Sequence, residues 1–512
     1  MPTDIARIHA VFDLAMRVGE GMLSNGAAAS EVTATVLRIT SSSGLRNVAV
    51  QVTFDEVSIS YLADEMSTPF TRIRACGGRA QDFGRLEALE QITISYVQGE
   101  IPLEEARHLA EQIPLGKPMY SLPLVVAGFA VLGGGAAVSL GAGTLVMIAA
   151  TITGGLLILL ATLLGRRQIP LFYTQAVSGF VGVVGAVVVS LINPAVNSSI
   201  VVVACIIVML AGLTSIGAMQ DAITGWYITA SGRILEALML TVGLVVGVRG
   251  GILVAEWIGV DISVSGTMPI SLVSVMVMSV SGAVIGLGFA IGSYAAPRHL
   301  LWIALIAGMA GVLSHVLTLL LHDSTFAVGA TSMVIGAVSV VLADRFRAPA
   351  LMYVMSGVIP MVPGMRLYRG LLALGDDVVA GGFELLTATE IALAIAAGAV
   401  LGQLIASRLV RRLRRTGIAY TPVISSPFTT LRRRRASVSG LWRRRRGQGV
   451  IVEPSTMTGE MTALTPAMLA DLEHATGAIP AVYAEPDPEP EPEPAREGAE
   501  APAPSAQDEK ES

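Results

Sequence analysis

Residues 122–167 read LPLVVAGFAVLGGGAAVSLGAGTLVMIAATITGGLLILLATLLGRR. The two apolar blocks in this stretch, 122–141 and 143–164, are each close to the ~20 residues that a ~30 Å hydrocarbon core requires, and Arg166-Arg167 closes the pair. The pattern continues to Leu409, with further blocks at 171–192, 198–218, 233–255, 270–294, 299–321, 325–343, 350–374 and 386–409, ten in all. The composition agrees: 53% of the chain is hydrophobic, 14% is charged and the mean hydropathy is +0.67. Soluble domains carry about a quarter charged residues, so an ordinary cytosolic enzyme is excluded and a polytopic α-helical membrane protein is expected. Abundant glycine fits, because small residues let membrane helices approach closely. Transport is the function class this implies.

The loops between the blocks test the reading independently through the positive-inside rule. With the N-terminus inside, the inner loops carry Arg166 and Arg167, then Arg233, Arg298, Arg345 and Arg347, and finally Arg408, Arg411 and Arg412. The outer loops around 193–197, 261–266, 322–323 and 376–377 hold no Arg or Lys. The alternation predicts an even number of spans, both termini in the cytoplasm and a multi-pass protein of a bacterial inner membrane. The first twenty residues mix Asp4, Arg7, Asp13 and Arg17 into apolar sequence, so they are not expected to be a secretory signal peptide.

Residues 1–118 read as a soluble cytoplasmic α/β domain. Ile5, Ile8, Phe12, Ala15, Met16 and Leu23 recur at helical spacing up to Asn25-Gly26, and Val32, Val36 and Ile39 continue on a second helix that ends near Gly44. Val48, Val50, Val52 and Phe54 then alternate as in a strand, followed by strands at 57–61 and 71–74, and helices return at 85–98 and 102–113. The first membrane half is expected over 119–257 and the second over 268–410. From 411 to 512 a basic run, Arg432–Arg435 and Arg443–Arg446, gives way to an acidic proline-rich end that is predicted to be disordered. The basic run suits retention inside and contact with anionic membrane lipid rather than nucleic acid. Only Cys76 and Cys205 are present, so neither a disulfide framework nor a cysteine metal site is expected. No cofactor or metal is expected either.

Gly19-Glu20-Gly21-Met22-Leu23-Ser24-Asn25-Gly26-Ala27, then Glu31-Val32 and Pro102-Leu103-Glu104-Glu105-Ala106, followed by five spans, resembles the N-terminal half of the bacterial threonine/serine exporter family. Pro349-Ala350-Leu351 and Ile359-Pro360-Met361-Val362-Pro363-Gly364, with Tyr368-Arg369-Gly370 behind, resembles that family's second half. The resemblance implies export of threonine and serine, coupled to protons and driven by the proton motive force, and not enzymatic catalysis. Leu210-Ala211-Gly212 in the fourth span of the first half echoes Val362-Pro363-Gly364 in the fourth span of the second. Five spans per half is an odd number, so the two halves are expected to be inverted. The family usually has Pro where this chain has Ala211, which leaves a helix break in the first half open. A homo-oligomer is also left open, and a membrane-anchored sensor or scaffold whose cytoplasmic domain binds a partner is the alternative function.

The expected substrate path comprises Ser356, Pro360, Pro363, Gly364, Arg366, Tyr368 and Arg369. Neither proline can donate a backbone N–H, so the carbonyls of Ser356 and Ile359 are expected to lose helical partners near mid-membrane and Gly364 to permit an unwound turn. Arg366 and Arg369 follow where the positive-inside rule predicts few cations; each either snorkels to the headgroups or meets a substrate carboxylate, and Tyr368 adds a hydroxyl. Secondary candidates are Asp221, Arg233 and Glu236 at the inner ends of the fourth and fifth spans, Glu390 in the last span as a proton-coupling carboxylate, and His315 deep in the seventh. Each also has a structural reading: a helix kink, an interfacial ion pair or an interhelical hydrogen bond.

Overall fold

The computed structural model describes residues 2–413, apart from 46, 64–67, 78–79, 211–212, 261–271 and 374–376. All of these lie in one compact unit, Met1–Arg434; a second unit, Arg435–Ser512, and with it the acidic tail, lies outside the described residues.

The chain opens with α1 (Pro2–Ser24) and α2 (Ala29–Ser42). Between them Gly26 takes φ +94°, a left-handed conformation that only glycine adopts freely, and the Asn25 side chain donates to the Gly21 carbonyl at 2.7 Å. β1 (Val48–Thr53), β2 (Glu56–Tyr61) and β3 (Phe70–Ala75) form an antiparallel meander, with Val52 opposite Val57 and Ile59 opposite Arg72. Val52, Val57 and Ile59 are buried and pack with Phe12, Val36 and Ile39 of the two helices, the burial that the period-two pattern requires. α3 (Phe83–Val97), capped by the Asp82 side chain, and α4 (Leu103–Gln112), with Glu104 and Glu105 in its first turn, complete this layer.

Long apolar helices follow: α5 (Leu122–Ser139), α6 (Thr144–Arg166), α7 (Leu171–Ile192), then α8 (Ser199–Leu210), α9 (Leu213–Ile223) and α10 (Tyr227–Trp257). α11 (Leu272–Gly292), α12 (Pro297–Leu321) and α13 (Ser324–Phe346) lead to α14 (Ala350–Val358), a 3-10 turn at Ile359–Met361, α15 (Gly364–Ala373) and α16 (Val378–Leu413). Among the described residues eight helices are long and apolar enough to cross a membrane, or nine when α14 and α15, bent by 53° at their break, count as one span. Ile152, Leu235, Leu301 and Leu386 stand exposed on these helices, as a lipid-facing surface demands. The chain is thus a multi-pass α-helical membrane protein. α8 is 12 residues long, too short to cross alone, and Ala211-Gly212, where the sequence left a first-half break open, lies outside the described residues.

Helix neighbours recur between α5–α10 and α11–α16. α5 packs on α6 as α11 packs on α12; α7 packs on α10 as α13 packs on α16; α9 packs on α10 as α15 packs on α16. The short α8 contacts α5, α6 and α7, and α14 contacts the corresponding α11, α12 and α13. The two sets meet through α5 against α11, α8 against α15 and α9 against α16. Glycine permits the tightest crossings. A Cβ at Gly247 of α10 would collide with the Ala176 carbonyl of α7, and one at Gly402 of α16 with the Met333 carbonyl of α13.

The N-terminal layer is bonded to the helical ends that bear the loop arginines. Arg233 donates to the Ala27 carbonyl at 2.9 Å, Arg298 pairs with Glu87, and Arg347 lies 3.7 Å from Glu100. Thr229 donates to the Val52 carbonyl at 2.9 Å, and the Phe83 amide donates to the Ser293 carbonyl at 2.9 Å. Three loops assigned to one side of the membrane by charge alone therefore touch one layer.

Candidate functional site

Pro360 and Pro363 interrupt the helical ladder because neither has an amide hydrogen to give. The chain tightens into the 3-10 turn, and the break leaves two half-helices, α14 and α15. Of the two carbonyls expected to be free, Ile359 accepts from the Val362 amide at 3.1 Å, so the tightened turn recovers that bond. Gly364 begins α15 against Ile207 of α8, which a Cβ at this position would meet too closely, with Val203 at ordinary contact distance. The α14–α15 break is therefore packed directly on the end of the short α8.

Two hydroxyls flank the turn. Ser356 and Tyr368 are each 0% exposed, and neither oxygen has a hydrogen-bond partner among the described residues. α13 adds Ser332 and Ser339, also buried and without partners, which lie three residues before and four after Ile335. Ile335 touches Gly357 of α14, so both serines lie on the α13 face turned toward the break. A buried hydroxyl without a partner costs roughly 1–3 kcal/mol, and four of them at one break mark a place where polar partners are to be supplied.

The charged candidates are distributed differently. Arg366 sits at the surface of α15, with Nη1 3.5 Å from Glu384 Oε2 of α16, and Arg369 is half-buried one turn on. Glu390 is exposed on α16, whereas His315 is part-buried in α12 with Nε2 shielded and without a partner among the described residues.

Asp221 and Arg233 are brought together. They form a buried pair at 2.7 Å, with Asp221 Oδ1 also accepting from the Ala29 amide at 2.9 Å. The pair holds the α1–α2 turn onto α9 and α10, and Glu236 lies half-buried one turn beyond. An ion pair with each partner also bonded to backbone is a clasp, since both charges are satisfied from several sides.

Two features at the N-terminal end of α14 escaped the sequence reading. A small pocket of about 20 Å³ is lined by Glu31, Thr35, Arg38, Glu90 and Pro349-Ala350. Burial, with Glu90 and Asp221 nearby, pushes the Glu31 carboxyl up to about 8, although Gln220 and Arg233 pull the other way. Beside it, His299, Glu87 and Tyr353 form a buried hydrogen-bonded chain across α12, α3 and α14. No local spacing links Glu87 to a histidine 212 positions away; the one available signal was a histidine in the first turn of a span, directly after Pro297-Arg298. Among the described residues no group of three or more His, Cys, Asp or Glu side chains is placed to hold a metal ion.

Comparison with known proteins bears on these features. Residues 13–254 match the family described as "Putative threonine/serine exporter", and residues 278–405 match the one described as "Threonine/Serine exporter, ThrE". A threonine/serine exporter of Corynebacterium glutamicum is 31% identical over 418 residues, covering 80% of this chain and 85% of that protein. A probable threonine/serine exporter of Mycobacterium tuberculosis is 31% identical over 409 residues, covering 78% and 77%. No solved structure matches the chain. The matches take in the N-terminal layer, the Asp221–Arg233 clasp and the broken helix, and on them this chain belongs to the threonine/serine exporter family, a family of transporters and not of enzymes.

Proposed function

We propose that the chain exports small hydroxylated amino acids, threonine and serine, across the bacterial inner membrane in exchange for protons, and that the substrate passes the break at residues 359–363. The observation that carries this is the set of unpartnered buried hydroxyls, Ser332, Ser339, Ser356 and Tyr368, around the bent pair α14–α15. A zwitterion with a side-chain hydroxyl must have each polar group matched on leaving water, because an unmatched one costs several kcal/mol. Ser356 and Tyr368 meet the substrate hydroxyl, the Ser356 carbonyl freed by Pro360 meets the ammonium, and Arg366, released from Glu384, meets the carboxylate, with Arg369 behind it.

In this reading ten spans form two inverted five-helix repeats, 119–257 and 268–410, with α8–α9 as the fourth span of the first. The recurrence of helix neighbours supports the repeats. Residues 1–118 then lie in the cytoplasm with both termini, supported by the bonds from Arg233, Arg298 and Arg347 to that layer. Counterflow of labelled threonine into liposomes loaded with threonine, serine or valine tests the proposal. Threonine and serine inside should drive uptake and valine should not; equal uptake with valine, or none with any load, refutes it.

A further inference from the structure

His299 is 0% exposed in the first turn of α12. Its Nε2 lies 3.0 Å from Glu87 Oε1, and its Nδ1 lies 2.6 Å from the Tyr353 hydroxyl. Arg298 competes for the same atoms: its Nε is 3.1 Å from His299 Nε2, and its Nη2 is bonded to Glu87 Oε1, which also accepts from Gln91 at 3.1 Å.

These contacts define two bonding sets. When Nε2 carries no proton it accepts from Arg298 Nε, and Nδ1–H donates to Tyr353. When Nε2 carries a proton it donates to Glu87, and Arg298 Nε must turn away. The Arg298 side chain is 53% exposed and can move, while the Glu87 side chain is 5% exposed and His299 is sealed. A proton on Nε2 thus displaces Arg298 Nε from the ring and turns the ring N–H onto Glu87. Burial pushes the Glu87 carboxyl up, but the bonds from His299 and Arg298 outweigh it and hold the group below the ordinary carboxylate range. Glu87 is therefore an anion when the ring is charged. Among the described residues the titratable and charged groups bonded to His299 are Glu87 from α3, Arg298 from its own helix and Tyr353 from α14, and the Phe346 ring of α13 lies edge-on to it.

We propose that His299 is the residue that takes up and releases the coupling proton of the transport cycle, receiving it through Tyr353 and handing it to Glu87. This rests on the proton-exchange reading above. When the neutral ring carries its proton on Nε2, Nδ1 accepts from the Tyr353 hydroxyl, and a proton reaching that oxygen from the side of the break lets the phenol pass its own proton to Nδ1, so the phenol ends neutral and the ring becomes imidazolium. The ring then gives the Nε2 proton to Glu87 Oε1, with the electron pair of the N–H bond staying on nitrogen, and Glu87 releases it to cytoplasmic water; the ring is left with Nδ1–H and Nε2 accepting from Arg298, and its return to the Nε2–H tautomer completes the cycle. Tyr353 is one helical turn before Ser356, so the state of the ring is felt on the half-helix that carries the substrate hydroxyl site. His299 joins the N-terminal layer to the broken helix directly; Glu390, exposed on α16, has no such connection.

The test measures threonine flux and proton flux together in liposomes holding a trapped pH-sensitive dye, with wild type, His299→Gln and Tyr353→Phe. The number of protons moved per threonine should fall about tenfold or more in His299→Gln, as expected for loss of a proton-carrying group. A structural role alone would lower both fluxes and leave their ratio at the wild-type value, and that result overturns the proposal. Tyr353→Phe, which keeps the ring and packing but removes the hydroxyl through which the proton passes, should likewise lower the number of protons moved per threonine; an unchanged ratio overturns the proposal even if His299→Gln fails to reach the membrane. A wild type that counterflows threonine without moving protons refutes the coupling role but leaves threonine export standing. A wild type with no threonine counterflow refutes the export reading, and the role of His299 with it.

Discussion

Replacing Glu31 by Gln should flatten the pH dependence of stability by an amount that follows from its surroundings. Glu31 opens α2, faces the cavity at the foot of α14 and titrates near 8, against an ordinary value of 4.5. Below 4.5 both folded and unfolded chains hold the proton, and the group contributes nothing to pH dependence. Between 4.5 and 8 the unfolded chain gives it up while the folded one keeps it, so stability falls by about 1.4 kcal/mol per pH unit; above 8 the loss levels off. Between pH 6 and 9 the wild type therefore loses about 3 kcal/mol through this group, a loss that Gln cannot suffer. For a chain of this size 1 kcal/mol moves a melting midpoint by about 1–2 °C, so the gap between Glu31→Gln and wild type in detergent should widen by roughly 3–6 °C from pH 6 to pH 9. Glu90→Gln, which removes a neighbouring charge that raises Glu31, should make the loss level off at a lower pH than in the wild type. A gap that stays constant over this range would refute the argument that Glu31 is held protonated by burial.

Other outcomes follow from the packing. Removing either partner of the Asp221–Arg233 pair strands a buried charge and the Ala27–Ala29 turn, so Asp221→Ala or Arg233→Ala should cost about 3–5 kcal/mol, while Asp221→Leu with Arg233→Met should cost much less; a double-mutant cycle of melting midpoints measures this. Gly402→Ala and Gly247→Ala place a methyl group against the Met333 and Ala176 carbonyls and should each destabilise by about 1–3 kcal/mol or more, read as a lower melting midpoint. Ser356→Ala should reduce the preference for threonine over valine in counterflow competition by about fivefold to tenfold, the worth of one hydrogen bond; an unchanged preference would remove Ser356 from the hydroxyl site.

Much of the fold was legible because a bilayer imposes one length and one polarity on every span. The blocks expected at 122–141, 171–192 and 299–321, found as α5, α7 and α12, and the strand alternation of Val48, Val50 and Val52 follow from those constraints alone. The break at Pro360–Pro363 was legible for the same local reason, a missing amide. What surrounds the break was not. The partnerless state of Ser332, Ser339 and Tyr368 depends on which faces meet, and helical periodicity in an all-apolar span does not mark a face. Arg366 looked like a free intramembrane cation because Glu384 lies on the next helix, beyond local spacing. Glu87, His299 and Tyr353 come from three distant elements that only the tertiary fold unites.

The central claim, that threonine crosses at the broken helix, is tested most directly by labelled-threonine counterflow with wild type, Pro363→Ala and Arg366→Ala at matched membrane abundance. Pro363→Ala restores an amide donor and tends to close the break, and Arg366→Ala removes the partner of the substrate carboxylate. Both variants should transport at least about tenfold more slowly or with at least about tenfold weaker apparent affinity, as expected when a polar match in the membrane is lost. Wild-type rate and affinity in both would place the path elsewhere and contradict the account.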